Sequence, residues 1–567
     1  MKHFLNFKQL IFNTLIMAVT AMLFINVYAS DFHVTSSQEL QTALSTAAEN
    51  NQSDSIYLAA GIYKGNFRFD TEESDTSISI KAEEGLNAGN VILDGEERDR
   101  VLLIDSGSNV LNIIIENITF RNGKTSGGAG IKIYTKGEII IQNCNIHDNY
   151  STSNGGGLNI DAASKLSITG TIINNNITNN RDIYGSGLNL SGIDDISLVE
   201  NDISYNQSLY SDGNSIIKIS SSKNVLIDKN NITMNKASLI SGINISASNS
   251  ILVSNNTISK NESNSFSYYY YGVIYISAPE IEFKNNKILS NKGGVYINGS
   301  NLLNMESNYI LNNLGSTNGV LYLISKLITA RNNIITDNDT YESTSAKGCL
   351  YISSSGTINL INNTLSENKT KGSGGGLYVD INNTTAILNL YNNIIWGNKA
   401  ETGGSDIYLN GYGSKKNLYN NNVHEIVGTF DFAANNIDAA PFFINTENDD
   451  FHLGAQSLCI NSGTNDAPEI PGLYMDGNPR IGDNAVDIGA YEHSSIDYHP
   501  ADTNKDWNLS SSELTAYETA WKNGNSWSEG PSNIPMNYLT RAGFIQQSGG
   551  AYQNAGGAKP LCWIPVD

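Results

Sequence analysis

One phrase, written eleven times in asparagine, sets the limits on what this chain can fold into. It runs from NITFRN, ending at Asn122, and CNIHDN, ending at Asn149, to NTLSEN at Asn368 and NIIWGN at Asn398, with successive spacings of 22 to 31 residues. Five places before the anchor stands a second asparagine: Asn117, Asn175, Asn201, Asn230, Asn256, Asn286, Asn308, Asn333, Asn363 and Asn393. Cys144 alone breaks that column, and three places before each anchor from Asn149 onward lies Ile or Leu. A repeat of this period means stacked units, each too small to bury its own apolar face.

The units are not helical. Apolar residues alternate in short Ile/Val/Tyr-rich runs separated by Asn, Gly and Ser, the pattern of strands and turns. Two or three short strands per 22–31 residues make one turn of a parallel β-helix. Asparagine suits its corners, because it tolerates left-handed turns and its amide reaches the copy one rung away. The asparagine column is therefore read as structural. The expected fold class is all-β, a right-handed parallel β-helix solenoid with an N-terminal capping helix and a small C-terminal calcium-loop and helix appendage. The lid is placed at SSQELQTALSTAAE, residues 36–49. Ser36 and Glu39 make a capping box, and Leu40, Ala43, Leu44 and Ala47 share a face. The strand SIYLAAG follows. Residues 1–29 read as a signal peptide, 30–110 as cap and first coils, 111–420 as regular coils, 421–495 as closing coils, and 496–567 as a loop and tail.

Each coil carries an apolar–x–apolar strand, and alternation sends x outward. Down the chain x reads Lys132, Asn159, Asn189, Lys218, Asn244, then Tyr275, Tyr296, Tyr322, Tyr351, Tyr378 and Tyr408. Six coils are thus expected to expose a tyrosine ladder, with the outer two about 24 Å apart at about 4.8 Å per rung. Such a ladder stabilises strands, and it also makes a ligand-binding strip for sugar rings or an extended peptide. Tyr268–Tyr271 are read as a loop overhanging it. The next outward column holds Asp161 and Asp380, eight coils or about 38 Å apart, too far to act on one substrate atom. Lys132 and Lys218 are three coils apart. On this reading the face expected to carry catalysis is empty.

DTNKDWNLSSSEL, residues 502–514, places Asp502, Asn504, Asp506, Asn508, Ser510 and Glu513 at positions 1, 3, 5, 7, 9 and 12 of a loop. This is the ligand spacing of an EF-hand, so calcium is the expected cofactor. Leu509 fills the apolar position 8, and Leu514, Tyr517 and Trp521 follow at helical spacing. Trp507 stands where that loop has glycine. Arg541, Trp527 and Trp563 belong to the tail.

Lys2 and Lys8 precede the apolar run LIFNTLIMAVTAMLFI, and Val27-Tyr28-Ala29 supplies a cleavage site. The mature chain is thus expected to be exported to the cell surface or medium, as a monomer with no membrane span. Its net charge of −22 becomes −24 without those two lysines, which argues against nucleic-acid partners. Four cysteines are too few for a disulfide scaffold. Cys144 and Cys349 lie about seven rungs apart and cannot pair; Cys459 and Cys562 are the pair that could meet.

Over residues 31–495 this arrangement resembles the pectin-lyase-like superfamily of right-handed parallel β-helix proteins, and more narrowly exported bacterial members without known activity. The stretch GLYMDGNPRIGDNAVDIGAYEH resembles the closing segment of bacterial surface proteins called choice-of-anchor Q, through Asp476, Gly477, Arg480 and Asp487–Glu492. Arg480 near Asp487 and Glu492 is expected to form a partly buried ion pair closing the final coil. Dockerin modules carry two calcium loops, and one is found here. Polysaccharide lyases of the superfamily cluster carboxylates for calcium and an Arg or Lys base on one face, and the polygalacturonase motifs NTD, GHG and RIK are absent. The expectation is a non-catalytic β-helix that binds a glycan or a cell-surface partner along the tyrosines, or serves as an adhesive or structural rod. A polysaccharide lyase or glycoside hydrolase is the alternative.

Overall fold

A computed structural model describes residues 30–566, apart from 154, 162–168, 174–175, 179–180, 183–186, 209–214, 264–271, 341–343, 382, 412–414, 482–484, 494–497, 528–532 and 555–558. The side chains of 162–186 are also outside the description, as are the proposed leader 1–29, ladder residues Asn175 and Asn180, and the Tyr268–Tyr271 loop. Contacts divide the chain into two units, residues 1–238 with 243–248, and residues 239–242 with 249–567. The fold is an all-β parallel solenoid of about 12 turns.

In the first unit one coil runs through strands Ile131–Tyr134, Ile139–Gln142, Asn145–His147 and Tyr150–Ser151. In the second, its counterpart runs Leu377–Asp380, Ile387–Tyr391, Ile394–Trp396 and Lys399–Ala400. Within each unit successive rungs pair in parallel, as in Ile131↔Leu158 and Leu377↔Ile407. Period-2 alternation points Ile131, Ile133, Ile139, Ile141 and Ile146 inward, all fully buried. Each such side chain contributes about 1.5–3 kcal/mol over exposure. Glycines open the turn before each first strand because rungs meet there backbone to side chain. A Cβ on Gly376 would lie 2.7 Å from Asn398 Nδ2, and Gly374 has φ +72°.

The asparagine columns are buried ladders on either side of the third strand. Asn363 shows the wiring. Its Oδ1 accepts from Asn333 N at 3.0 Å and Asn333 Nδ2 at 2.9 Å. Its Nδ2 donates to Asn393 Oδ1 at 2.9 Å and Ala330 O at 2.8 Å. Every polar atom of that amide is used, so burial costs it nothing that is not returned. Cys144 fits the same slot by donating to Gln142 O at 3.3 Å and Ile115 O at 3.8 Å, as the amide does elsewhere. The ladders reach further than the repeat suggested: one continues through Asn421 to Asn436, and the other ends on Asp406.

Two details of the sequence reading change. The left-handed residue is the one before the ladder asparagine, for example Asn362 at φ +52° and Glu367 at φ +56°. The first coil is also out of phase by one. Thr119 pairs with Asn145, so Asn117 and Asn122 sit in the left-handed slots, and Gly123 N donates to Asn149 Oδ1 at 2.8 Å.

The helix Ser37–Ala47 forms as its pattern implied, with Leu40, Ala43, Leu44 and Ala47 buried. Ser36 Oγ accepts from Glu39 N, while Glu39 reaches Thr35 N rather than the Ser36 amide. The Gln41 side-chain amide pairs with both backbone polar groups of Arg68, taking the place of a neighbouring strand.

The described residues of 450–493 form no closing coil. They run as a strap along the outer face of the third strands, and left-handed asparagines dock it. Asn392 exchanges two hydrogen bonds with Thr464, at 3.0 and 2.8 Å. Asn362 donates to Asp487 O at 3.0 Å, Asn420 to Ser462 O at 2.9 Å, and Asn332 to Leu473 O at 2.5 Å. Phe451, Tyr474, Ala490 and Tyr491 pack on Leu311 and Ile334, and Leu453, Cys459 and Ile488 on Ile394. Arg480 is fully buried, not partly. It bonds Glu492 Oε1 at 2.8 Å, Gly489 O, Ala490 O and Asn332 Oδ1. Asp487 does not pair with it but accepts from Asn461 N and His493 N. All four cysteines are buried thiols, Cys459 and Cys562 included.

Beyond the strap, helices Ser511–Lys522 and Met536–Gln547 and the hairpin Tyr552–Asn554/Trp563–Pro565 surround a core of Leu509, Tyr517, Ala542, Ile545, Tyr552 and Trp563. The first of these helices buries Tyr517 but leaves Trp521 36 % exposed.

Candidate binding strip

The tyrosine column is a true register. Tyr275, Tyr296, Tyr322, Tyr351, Tyr378 and Tyr408 are consecutive parallel partners. Their rings alternate between stacked and edge-on contacts at centroid separations of 5.0, 5.1, 4.2, 5.5 and 5.0 Å. Pairs of this geometry contribute about 0.5–1.5 kcal/mol beyond burial. The rings are turned in pairs, Tyr275 with Tyr296, Tyr322 with Tyr351 and Tyr378 with Tyr408, each pair stacked and set edge-on to the next.

Exposure is the point on which the sequence reading fails. Tyr296 and Tyr351 are buried, at 7 % and 4 % exposure, and the other four are half-buried. In the first unit Asn159 and Asn189 are buried too, joined by Asn189 Nδ2 to Asn159 Oδ1 at 2.7 Å. Close stacking along the column shields each ring from water with its neighbours. The strip is a corrugated aromatic wall, with edges and hydroxyls at its surface.

The face is also not empty. Lys347, in the turn four residues before Tyr351, lies 4.1 Å from the Tyr351 ring centre and 5.1 Å from that of Tyr378. Its ammonium donates to Tyr351 Oη at 2.9 Å and stands 4.0 Å from Asp380 Oδ2. Tyr351 Oη donates to Asp380 Oδ2 at 3.4 Å, and Asn410 Nδ2 to Asp380 Oδ1 at 3.3 Å. Burial holds the Lys347 ammonium below its usual range, against the pull of Asp380. Burial, with Tyr322 next to it, pushes the Tyr351 phenol well above its usual range. The strand alternation that gave the columns carried no signal for Lys347, because it comes from a turn. Asp161 and Asp380 remain in separate units, and no metal-binding group of three His, Cys, Asp or Glu side chains occurs among the described residues. A further outward ladder, Asn359–Asn389–Asn417, follows the second strand at 2.8 and 2.7 Å and was missed because the outward columns were read on the first strand alone.

The loop 502–513 is wound around its own acids. Asp502, 1 % exposed, accepts from Trp507 N at 3.1 Å and Tyr552 Oη at 2.8 Å, and burial raises its carboxyl pKa. Glu513 accepts from Thr503 N at 2.9 Å and Ser510 N at 3.0 Å. Asn504 and Asp506 bond one another at 3.0 Å, Asn508 N donates to Asp506 at 2.8 Å, and Ser510 Oγ donates to Glu513. Trp507 takes the left-handed conformation, φ +62°, at the position where glycine is usual. As arranged, these oxygens close the loop on its own N–H groups and do not form an open cage.

Parallel rungs, inward isoleucines and cornering asparagines define a β-solenoid. The model of the right handed beta helix region matches residues 76–258, 186–365 and 241–423, overlapping segments that together span more than half of the chain. The chain belongs to the right-handed β-helix family. A search of curated proteins finds no match.

Proposed function

We propose that this protein is an exported, non-catalytic β-helix of the cell surface that binds a glycan along the wall from Tyr275 to Tyr408. The observation that carries the reading is the unbroken six-coil register of tyrosines, with phenol, ammonium, carboxylate and amide groups along one edge. The helix 37–47 serves as the N-terminal lid, consistent with Gln41 satisfying the Arg68 edge. The test is retention of the mature chain in gels containing polysaccharide. Changing Tyr322 and Tyr378 to Ser should abolish the retardation, while changing Asn389 to Ser on the neighbouring strand should leave it intact. Equal retardation of all three proteins would end the strip reading.

Lys347 beside Tyr351 and Asp380 favours a second reading, a lyase using that group. The phenol is held protonated, and although burial lowers the Lys347 pKa, Asp380 at 4.0 Å pulls it back toward the charged form, so neither group is a free base. Steady release of unsaturated product from uronic-acid polymers, followed at 235 nm, would establish it. Calcium at residues 502–513 belongs to the same proposal. Its support is the ligand spacing and the left-handed Trp507, and binding requires the ion to displace the N–H donors now on Asp502 and Glu513.

A further inference from the structure

We propose that the strip selects an uncharged polysaccharide and rejects uronic-acid polymers, an inference that rests on the strip being the binding site. The outward positions flanking the tyrosines are Ser277, Asn298, Ile324, Ser353, Asp380 and Asn410, with a single carboxylate among them. Among the described residues, Lys347 is the cation that reaches the rings, and it is spoken for. Asp380 balances it at 4.0 Å, Tyr351 Oη accepts a hydrogen bond from it at 2.9 Å, and the ring faces of Tyr351 and Tyr378 take up its remaining field. Residues 264–271, which precede the first tyrosine strand in sequence, contain no charged side chain.

A polyuronate brings one carboxylate per sugar, so a wall about 24 Å long would meet several anions with one compensated ammonium. Each unpaired carboxylate would lose hydration without gaining a partner. The chain's net charge of −22 adds repulsion on approach. A neutral sugar has the opposite fit. Its hydroxyls can each donate and accept, matching the alternation of ammonium, phenol, carboxylate and amide from Lys347 to Asn410, while its C–H faces lie on the tyrosines.

Affinity electrophoresis of the mature chain in gels of galactomannan, hydroxyethylcellulose, polygalacturonate and alginate decides the matter, with thermal melts confirming that each variant is folded. Wild type should be retarded by at least one neutral polymer at tenfold lower concentration than by either polyuronate. Asp380→Asn, which leaves Lys347 uncompensated, should shift preference at least tenfold toward polygalacturonate. Lys347→Met should weaken neutral binding without creating polyuronate binding. Equal or tighter binding of polyuronates by wild type would overturn the selectivity and leave the strip standing. Absence of retardation by every polymer would overturn the strip and the selectivity with it.

Discussion

From Ile131 to Asp228 the column at the tyrosine position reads Lys132, Asn159, Asn189 and Lys218, and the outer face of the third strand carries Asn145, His147, Asp202 and Asn231. From Gly272 to Asn410 the same column is tyrosine throughout, and the third-strand face carries Tyr309, Leu311, Ile334 and Ile394 beneath the strap. The inward residues differ hardly at all: Ile133, Ile141 and Ile146 in one set do the work of Val379, Leu390 and Ile395 in the other. Stacking is therefore specified by the inward columns and the ladders. The outward columns are free to diverge, and they set what each region does.

The strap offers the sharpest way to break that contrast. Arg480→Met removes one half of a buried ion pair and leaves Glu492, whose carboxyl burial already pushes up to about 7, without its partner. A loss of about 4 kcal/mol is expected, seen as rapid cleavage by protease within 450–493 while the first-unit coils persist. Next in size is the ladder. Asn363→Ala takes the side-chain acceptor from Asn333 N and the side-chain donor from Ala330 O, for about 3 kcal/mol in denaturant melts. Cys144→Asn, the reverse change in the first unit, should stay within about 1 kcal/mol because that slot already has the wiring for an amide.

Tyr351→Ser should cost about 2 kcal/mol and Tyr322→Ser about half of that, since Tyr351 is the more buried ring. Equal losses would mean that the wall is uniformly exposed. Raising the pH should loosen the strap alone. His452 bridges Asp450 at 2.6 Å and Asp476 at 2.9 Å, and although burial opposes its charge, these acids raise its pKa to about 9. A folded pKa above the unfolded value gives stability that is complete below about pH 6.5 and lost as pH rises through 9, here about 1–2 kcal/mol after allowing for solvent screening. His452→Gln should flatten that dependence. The smallest effect concerns calcium. Titration should release heat with wild type and none with an Asp502→Ala, Asp506→Ala variant, without shifting the solenoid melt in either.

What could be read from sequence follows the same division. Repeated side chains announced the solenoid and the tyrosine register, because stacking imposes one residue type on every rung, and helical spacing announced the buried face of the first helix. The phase of the first coil misled, since Asn117 and Asn122 occupy the left-handed slots beside the ladder rather than the ladder itself. The depth of Tyr296 and Tyr351 was illegible because alternation fixes direction and is silent on how tightly neighbours crowd. Lys347 and the strap were hidden for a further reason. Both depend on contacts made once, and Asn362 reaches Gly489 across 127 residues of chain. Yet the doubled asparagines of INNTLSEN did hold the clue: the first docks the strap and the second builds the ladder.

Hydrogen exchange of wild type against Arg480→Met tests the division most directly. The account predicts faster exchange in residues 450–493 and in the third strands between Tyr309 and Trp396, with unchanged protection in Thr119–Arg121, Asn145–His147 and Asp202–Ser204. Acceleration spread equally over both sets of coils, or no acceleration beneath the strap, would contradict it.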